Sequence, residues 1–123
     1  MKGKRLEDIT NPVVNPLGEV IYEIFGRNVE LGGASKQSVA YVRLPPKKSS
    51  AAHYHKVSEE SYLITRGKGV MVVDGESIEV KKGDSYLIMP GKVHQIFNRD
   101  KRTKLEFYVI SAPAWTIDDS FFV

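Results

Sequence analysis

The sequence predicts an all-β protein of 123 residues, built as a sandwich or barrel of short strands. Three observations lead to this prediction. Short segments rich in Val, Ile, Tyr and Phe recur along the chain with a two-residue period. Residues typical of turns (Gly, Pro, Asn and Asp) separate these segments at intervals of roughly eight to twelve residues. No segment keeps an apolar stripe at helical spacing for three turns, so any helix is short.

The predicted strands are, in chain order, 19–25, 38–44, 61–65, 70–73, 77–80, 85–89, 94–97 and 105–110. Asp74-Gly75 lies between two of them and is a strong hairpin signal, because both residues of such a turn need positive φ. Gly67 and Gly83 are likewise predicted to be turn residues without a chemical role. Residues 1–17 and 111–123 lack the periodicity. We expect them to form an N-terminal extension and a C-terminal tail of one domain spanning 1–123.

Composition excludes several classes of protein. The chain is 41% hydrophobic and contains no cysteine, which removes disulfides, thiolate metal sites and cysteine nucleophiles. Its 18 basic and 15 acidic residues give a net charge of +3, and the lysines are scattered, so no nucleic-acid partner is expected. No apolar run approaches the length of a membrane span, so no membrane partner is expected and the predicted location is the cytoplasm.

The histidines carry the functional signal. His53 and His55 project from one face of a strand, about 7 Å apart along the backbone, which suits two ligands of one metal ion. Glu60 lies inward on the next strand by parity, whereas Glu59 falls in the turn or on the opposite face. His94 begins a later strand. Paired surface histidines are common, but all three histidines of this chain lie at strand starts beside turns. A shared metal site is therefore one interpretation.

The spacing of these residues resembles the first motif of the cupin family. That motif, G-x5-H-x-H-x3,4-E-x6-G, is matched by His53 and His55, then Glu60, then Gly67. Lys47 stands where the family has its opening glycine. Every position with a side-chain ligand is filled.

A second cupin motif follows, G-x5-P-x-G-x2-H-x3-N, and the chain matches it with Gly83, the Pro90-Gly91 step, His94 and Asn98. Met89 precedes that step, and the family's first proline is replaced there. Both motifs together cover residues 47–98. We expect Asn98 to satisfy backbone groups at a strand end, and the neighbouring Gln95 to point away from the site.

The resemblance implies a double-stranded β-helix, a jelly-roll barrel, with a metal inside it. It assigns the ligand roles to His53, His55, Glu60 and His94. Three imidazoles and one carboxylate suit a divalent Mn, Fe, Co, Ni or Zn ion. Two positions of a six-coordinate ion would remain for water, substrate or dioxygen. Tyr62, on the inward face with Glu60, is expected to pack in the core with its hydroxyl near a substrate pocket.

Several functions remain open on the sequence. The first is a metalloenzyme acting on a small oxygen-rich metabolite, of the dioxygenase or the sugar or sugar-phosphate isomerase type, with no catalytic residue identified. The alternative is a non-catalytic, metal-dependent binder of a sugar or organic acid. A purely structural role is disfavoured by the intact ligand set. A bound phosphate would need a cation, for which Arg43 and Lys92 are candidates.

The resemblance also implies a homodimer. Small cupins commonly pair through sheet edges and extended N-terminal strands. We therefore expect residues 1–25 and the apolar tail around Trp115, Phe121 and Phe122 to contribute to a dimer interface.

Overall fold

A computed structural model describes residues 1–123 and shows an all-β protein made of two antiparallel sheets. The strands are β1 (Val13–Val14), β2 (Val20–Phe25), β3 (Ser38–Leu44), β4 (His53–Tyr54), β5 (Glu59–Arg66), β6 (Lys68–Val73), β7 (Glu76–Lys81), β8 (Ser85–Ile88), β9 (His94–Phe97), β10 (Leu105–Ala112) and β11 (Phe121–Phe122). Short 3-10 helices cover Leu6–Asp8, Val29–Leu31 and Ile117–Asp119. No helix is long and apolar enough to span a lipid bilayer.

One sheet has the order β1-β2-β3-β10-β5-β8 and the other the order β11-β4-β9-β6-β7. The chain passes repeatedly from one sheet to the other, which is the double-stranded β-helix that the resemblance to the cupin family implies. The predicted strands 38–44 and 94–97 match β3 and β9 at both ends. The strand predicted at His53 and His55 is β4, and the two strands that were not predicted, β1 and β11, have two residues each, too few to show a period.

The core lies between the sheets and is centred on β10. This strand pairs with β3 on one side and β5 on the other. Its inward residues Leu105 and Phe107 are completely buried. They pack with Leu44 of β3 and with Met71 and Ile96 of the opposite sheet. On its other face β10 carries Glu106, so the strand alternates as expected for an antiparallel sheet with one face on the core.

The Asp74-Gly75 hairpin is confirmed. Both residues have positive φ, 48° and 82°, and the turn joins β6 to β7 with Val73 opposite Glu76. Gly67 and Gly83 also lie in turns at positive φ, 81° and 95°. Gly67 joins β5 to β6 and Gly83 joins β7 to β8, so the two turns bound the segment between the two sequence motifs.

Lys47, which replaces the glycine of the first motif, has a φ of 67°. A residue with a Cβ pays about 1–2 kcal/mol in this left-handed region. Glycine would avoid that cost but would lose about 0.5–1 kcal/mol through the greater freedom of its unfolded chain. We expect Lys47→Gly to raise the free energy of unfolding in urea by up to about 1 kcal/mol. Lys47→Ala keeps the strain and should give no gain, and a loss of stability in the glycine variant would contradict this account.

Both ends of the chain take part in the sheets. Within residues 1–17, β1 pairs with β2 and forms one edge of the six-stranded sheet. At the other end, β11 pairs with β4, so that Phe122 lies opposite His53. The tail therefore contacts the strand that carries two of the sequence-predicted ligands.

Candidate metal centre

The structure brings the four sequence-predicted ligands together between the two sheets. His53 lies on β4 directly opposite His94 on β9, in the five-stranded sheet. His55 follows β4, and Glu60 projects from β5 of the other sheet. One potential ligand atom from each of the four side chains lies within 4.8 Å of the other three.

The cluster is shielded from solvent. His55, Glu60 and His94 are buried, with 4%, 4% and 2% of their surface exposed, and His53 is half-buried. Burying an isolated carboxylate is costly unless a cation or hydrogen bonds compensate. The arrangement therefore needs positive charge close to Glu60.

Each imidazole is oriented by a backbone carbonyl. The Nδ1 atom of His53 lies 2.9 Å from the Ala51 oxygen, and that of His94 lies 2.9 Å from the Lys92 oxygen. The Nδ1 atom of His55 lies 2.8 Å from the Asp119 oxygen. A carbonyl oxygen only accepts hydrogen bonds, so Nδ1 carries the proton in all three rings. In the neutral rings, Nε2 is then a free lone pair, and this is the form that binds metals.

Two of these lone pairs, those of His55 and His94, point to one carboxylate oxygen. The Nε2 atoms of His55 and His94 both lie 3.2 Å from Glu60 Oε1. The His55 nitrogen is fully buried and lacks hydrogen-bonding geometry to any partner. Two acceptors at this distance repel each other unless a proton or a metal cation lies between them. The donor set, three imidazole nitrogens and one carboxylate, fits a divalent transition metal.

The surroundings shift the pKa values of Glu60, His53 and His55 in different ways. Burial acts to raise the pKa of Glu60, but His55, His94 and a hydrogen bond from Ser111 outweigh it and hold that pKa far below its ordinary value. Burial, reinforced by His94, lowers the pKa of His53 to about 4. Burial opposes charge on His55 as well, but Glu60 prevails and raises its pKa.

This difference predicts the protons released on metal binding. At pH 7, His53 is neutral and has none to release, since its pKa lies near 4. His55 has a raised pKa, so its Nε2 is partly protonated and must lose that proton before it can bind a cation. We expect calorimetry of Zn²⁺ binding, in buffers of different ionisation enthalpy, to show proton release at pH 7 that declines as the pH rises. Release that is absent at pH 7, or that grows with pH, would contradict this assignment.

Ser111 orients Glu60. It lies opposite Glu60 in the β10–β5 pair, and its buried hydroxyl donates a 2.6 Å hydrogen bond to Oε2. Oε1 is thereby left for the histidine side of the cluster. Sequence reasoning missed Ser111, although its inward parity with Phe107, on a strand face that is otherwise apolar, is a usable signal.

Removing the Ser111 hydroxyl should weaken metal binding without abolishing it. Loss of a partner that orients a ligand costs about 10–100-fold in metal affinity. We expect Ser111→Ala to lower Zn²⁺ affinity within that range in a calorimetric titration. Ser61→Ala is the matched control, because Ser61 lies on β5 beside Glu60 and faces away from it. Equal affinity in Ser111→Ala and wild type would contradict the role of Ser111.

Asp119 ties the C-terminal tail to the site. Its backbone oxygen orients His55, and its carboxylate accepts hydrogen bonds from the backbone N–H groups of Lys56, Val57 and Ser58 at 2.9–3.2 Å. It therefore fixes the turn that joins the two parts of the first motif. Nothing in the sequence signals this contact, because the partners are backbone groups about 60 residues away.

The other sequence-predicted residues occupy their expected places. Glu59 begins β5 on its exposed face, opposite to Glu60. Gln95 donates to the Ser50 carbonyl and lies outside the cluster. Asn98 is buried and bonds the backbone of Leu44, Thr103 and Asp100, as expected of a residue that satisfies a strand end.

Tyr62 is a core residue at the edge of the site. Its ring stacks on Phe107 at 5.3 Å between centroids and meets His94 edge-on at 5.9 Å. Its hydroxyl makes no hydrogen bond to the protein. Burial, followed by the charges of Glu60 and Glu19, raises the pKa of Tyr62 well above its ordinary value. The phenol therefore stays protonated and can donate a hydrogen bond to a ligand.

A cavity of about 560 Å³ opens beside the cluster and is lined by His53, His55, Glu60 and Tyr62. Half of its lining residues, 13 of 26, are hydrophobic. Its remaining charged residues are Glu19, Glu23 and Arg27.

The cations considered for a phosphate lie outside this cavity. Arg43 bonds Glu106 on the outer face of its sheet, and Lys92 pairs with Asp74 at the surface. Neither residue lines the cavity. The parity of β3 explains the position of Arg43, because its neighbours Val42 and Leu44 face the core.

Comparisons with known proteins agree with this architecture. A family model described as "Cupin domain" matches residues 40–111. An uncharacterized protein of Methanocaldococcus jannaschii is 34% identical over 113 residues, which cover 92% of this chain and 88% of that protein. Two solved structures are 26% identical to the chain: a predicted oxalate decarboxylase of Thermotoga maritima (TM-score 0.74, 89% of this chain and 96% of that one) and a cupin-superfamily sugar phosphate isomerase of Silicibacter pomeroyi (TM-score 0.73, 90% and 75%). The chain therefore belongs to the cupin family.

Proposed function

We propose that this protein is a metal-dependent enzyme acting on a small oxygen-bearing metabolite. The observation that carries the proposal is the convergence of three Nε2 lone pairs and one carboxylate on a buried point at the wall of a cavity. His53, His55, Glu60 and His94 would hold a divalent Mn, Fe, Co, Ni or Zn ion. Such an ion supplies Lewis acidity and a place for two substrate oxygens.

The protein's own side chains define what the cavity accepts. Its partly apolar wall fits a small carbon skeleton. Glu19, Glu23 and Glu60 outnumber the single guanidinium of Arg27. Even with the two positive charges of the proposed divalent ion, the lining would carry no excess positive charge, which disfavours a doubly charged anion and favours an uncharged metabolite or one with a single charge.

The solved relatives support enzyme chemistry at this kind of site. One is described as a predicted oxalate decarboxylase and another as a sugar phosphate isomerase. Because Arg43 and Lys92 lie outside the cavity, the isomerase type is favoured here for an unphosphorylated molecule. The dioxygenase type remains an outcome of the test below.

The test has a binding stage and a turnover stage. We expect protein purified without an affinity tag to contain one transition-metal ion per chain by elemental mass spectrometry. His94→Ala should remove the ion and Glu59→Gln should not. The loaded protein is then incubated with unphosphorylated sugars, diketones and organic acids and followed by NMR and by oxygen consumption. Conversion in wild type but not in His94→Ala supports the enzyme, whereas calorimetric binding without conversion would replace it with the alternative, a metal-dependent binder.

We also propose that the protein forms a homodimer through its N-terminal sheet edge. Val13 and Val14 of the edge strand β1 are 45% and 65% exposed, and the nearby Leu17 is 48% exposed. An unpaired apolar edge readily adds a strand from a second copy. We expect light scattering to give twice the mass of the chain, and Val14→Lys to shift it to a monomer. A monomeric wild type would contradict this proposal.

A further inference from the structure

We propose that Glu19, held by Asn15, exchanges a proton with an uncharged α-hydroxy carbonyl substrate bound at the four-residue site. This inference rests on the proposed function and names the residue and substrate class that the metal ligands alone leave open.

The geometry of Glu19 is that of a group built to meet a ligand. It lies immediately before β2 and lines the same cavity as His53, His55 and Glu60. It is only 8% exposed. Asn15 Nδ2 donates a 2.7 Å hydrogen bond to its Oε1, while Oε2 accepts no hydrogen bond from the protein. One oxygen is thus anchored and the other is free.

A second buried carboxylate in this protein shows what a structural glutamate looks like. Glu106 is 6% exposed, similar to Glu19. Its Oε1 accepts hydrogen bonds from Tyr41 and Arg43, and its Oε2 accepts one from Arg66. Both of its oxygens are satisfied by the protein, as expected for a buried charge. Glu19 lacks such partners on the side where a substrate would bind.

The surroundings of Glu19 favour proton exchange. Burial raises its pKa, the Asn15 hydrogen bond opposes this shift, and the charge of Glu60 adds to it. His94 acts in the lowering direction. A carboxylate with a raised pKa is a stronger proton acceptor than an exposed carboxylate with an ordinary pKa. Tyr62 stays protonated, so it can donate a hydrogen bond to the substrate but cannot act as the base.

The substrate class follows from the cavity. An α-hydroxy carbonyl compound offers two adjacent oxygens to the four-residue site and a C–H bond made acidic by the carbonyl. In the proposed step this C–H bond breaks, its electron pair moves towards the carbonyl to give an enolate, and the proton passes to Glu19 Oε2. The reverse step returns a proton to the same carbon, so no oxidant or reductant is required.

An affinity label tests the placement without requiring turnover. Bromohydroxyacetone is an uncharged α-hydroxy ketone, and a carboxylate near its bromomethyl carbon displaces bromide to form an ester. We expect Zn²⁺-loaded protein to gain one adduct, located on Glu19 by peptide mass spectrometry. Glu19→Gln should abolish that adduct. Asn15→Ala should slow it by about tenfold, the equivalent of one lost hydrogen bond. Glu59→Gln, on the outer face of β5, should leave it unchanged.

The outcomes separate this inference from the proposed function. If Zn²⁺ titration shows one site and the adduct forms elsewhere or not at all, the role of Glu19 is wrong and the metal centre stands. If Glu19 is labelled equally fast with and without Zn²⁺, the substrate is not held at the four-residue site and the inference is also wrong. If no metal binds, the proposed function itself falls. Glu19→Gln should still bind one Zn²⁺ ion per chain, because Glu19 is not one of the four ligands.

Discussion

Glu60→Gln is expected to lower the affinity for Zn²⁺ or Co²⁺ by more than 100-fold. Glu60 is the only anionic member of the cluster, and its Oε1 lies 3.2 Å from the Nε2 atoms of His55 and His94. An amide keeps the shape but removes the charge that neutralises the cation. The loss should therefore exceed the roughly 10–100-fold cost of losing an orienting partner. Calorimetric titration of chelator-stripped protein measures it.

Glu59→Gln is the matched control for this change. It removes the same charge one residue away, on the exposed face of β5. We expect its metal affinity to equal that of wild type. If the two variants lose affinity equally, the effect comes from net charge and the assignment of Glu60 as a ligand is wrong.

Asp119→Ala is expected to destabilise the fold and weaken the metal site together. The carboxylate accepts backbone hydrogen bonds from Lys56, Val57 and Ser58, and Ser58 is buried. Hydrogen bonds to charged groups contribute about 1.5–3 kcal/mol each and do not add fully, so we expect a loss of about 2–4 kcal/mol in the free energy of unfolding. A shifted Asp119 backbone would also release His55 Nδ1, lowering metal affinity about 10–100-fold.

The same residue gives a dependence on pH. Burial acts to raise the pKa of Asp119, but the backbone hydrogen bonds outweigh it and lower that pKa. Its contribution is therefore present above the ordinary pKa of aspartate, near 3.8, and is lost as the pH falls through the lowered value. Asp118→Ala, an exposed neighbour, is the control for urea unfolding at pH 7 and at low pH. If Asp119→Ala is as stable as Asp118→Ala at pH 7, the tail does not fix this turn.

The all-β class was predicted from periodic features of the sequence, whereas the four-residue cluster was predicted from the spacing that the chain shares with the two cupin motifs. Strand parity placed Glu60 inward and Glu59 outward, and the Asp74-Gly75 turn fixed the register of its hairpin. The spacing of the histidines in two motifs brought His94 to His53 although 41 positions separate them, since family resemblance supplied the topology that local patterns lack.

The groups that orient and complete the site were harder to predict. Asp119 acts through backbone atoms, so no residue pattern marks its contact with His55. Glu19 lies just before a strand, where the sequence alone suggests a solvated charge, and only the structure shows that it is buried at the cavity. Arg43 and Lys92 carried the right charge for a phosphate, but their positions depend on strand orientation and surface pairing. Except for Arg43, whose outward position follows from the parity of β3, these are tertiary effects that neither periodicity nor composition encodes.

The most direct test of the metal centre is a calorimetric titration of chelator-stripped wild-type protein with Co²⁺, repeated with His94→Ala. The structure predicts one site per chain in the wild type and none in the variant. A wild type without stoichiometric binding, or a His94→Ala variant that binds Co²⁺ as tightly as the wild type, would show that the four side chains do not form a metal centre.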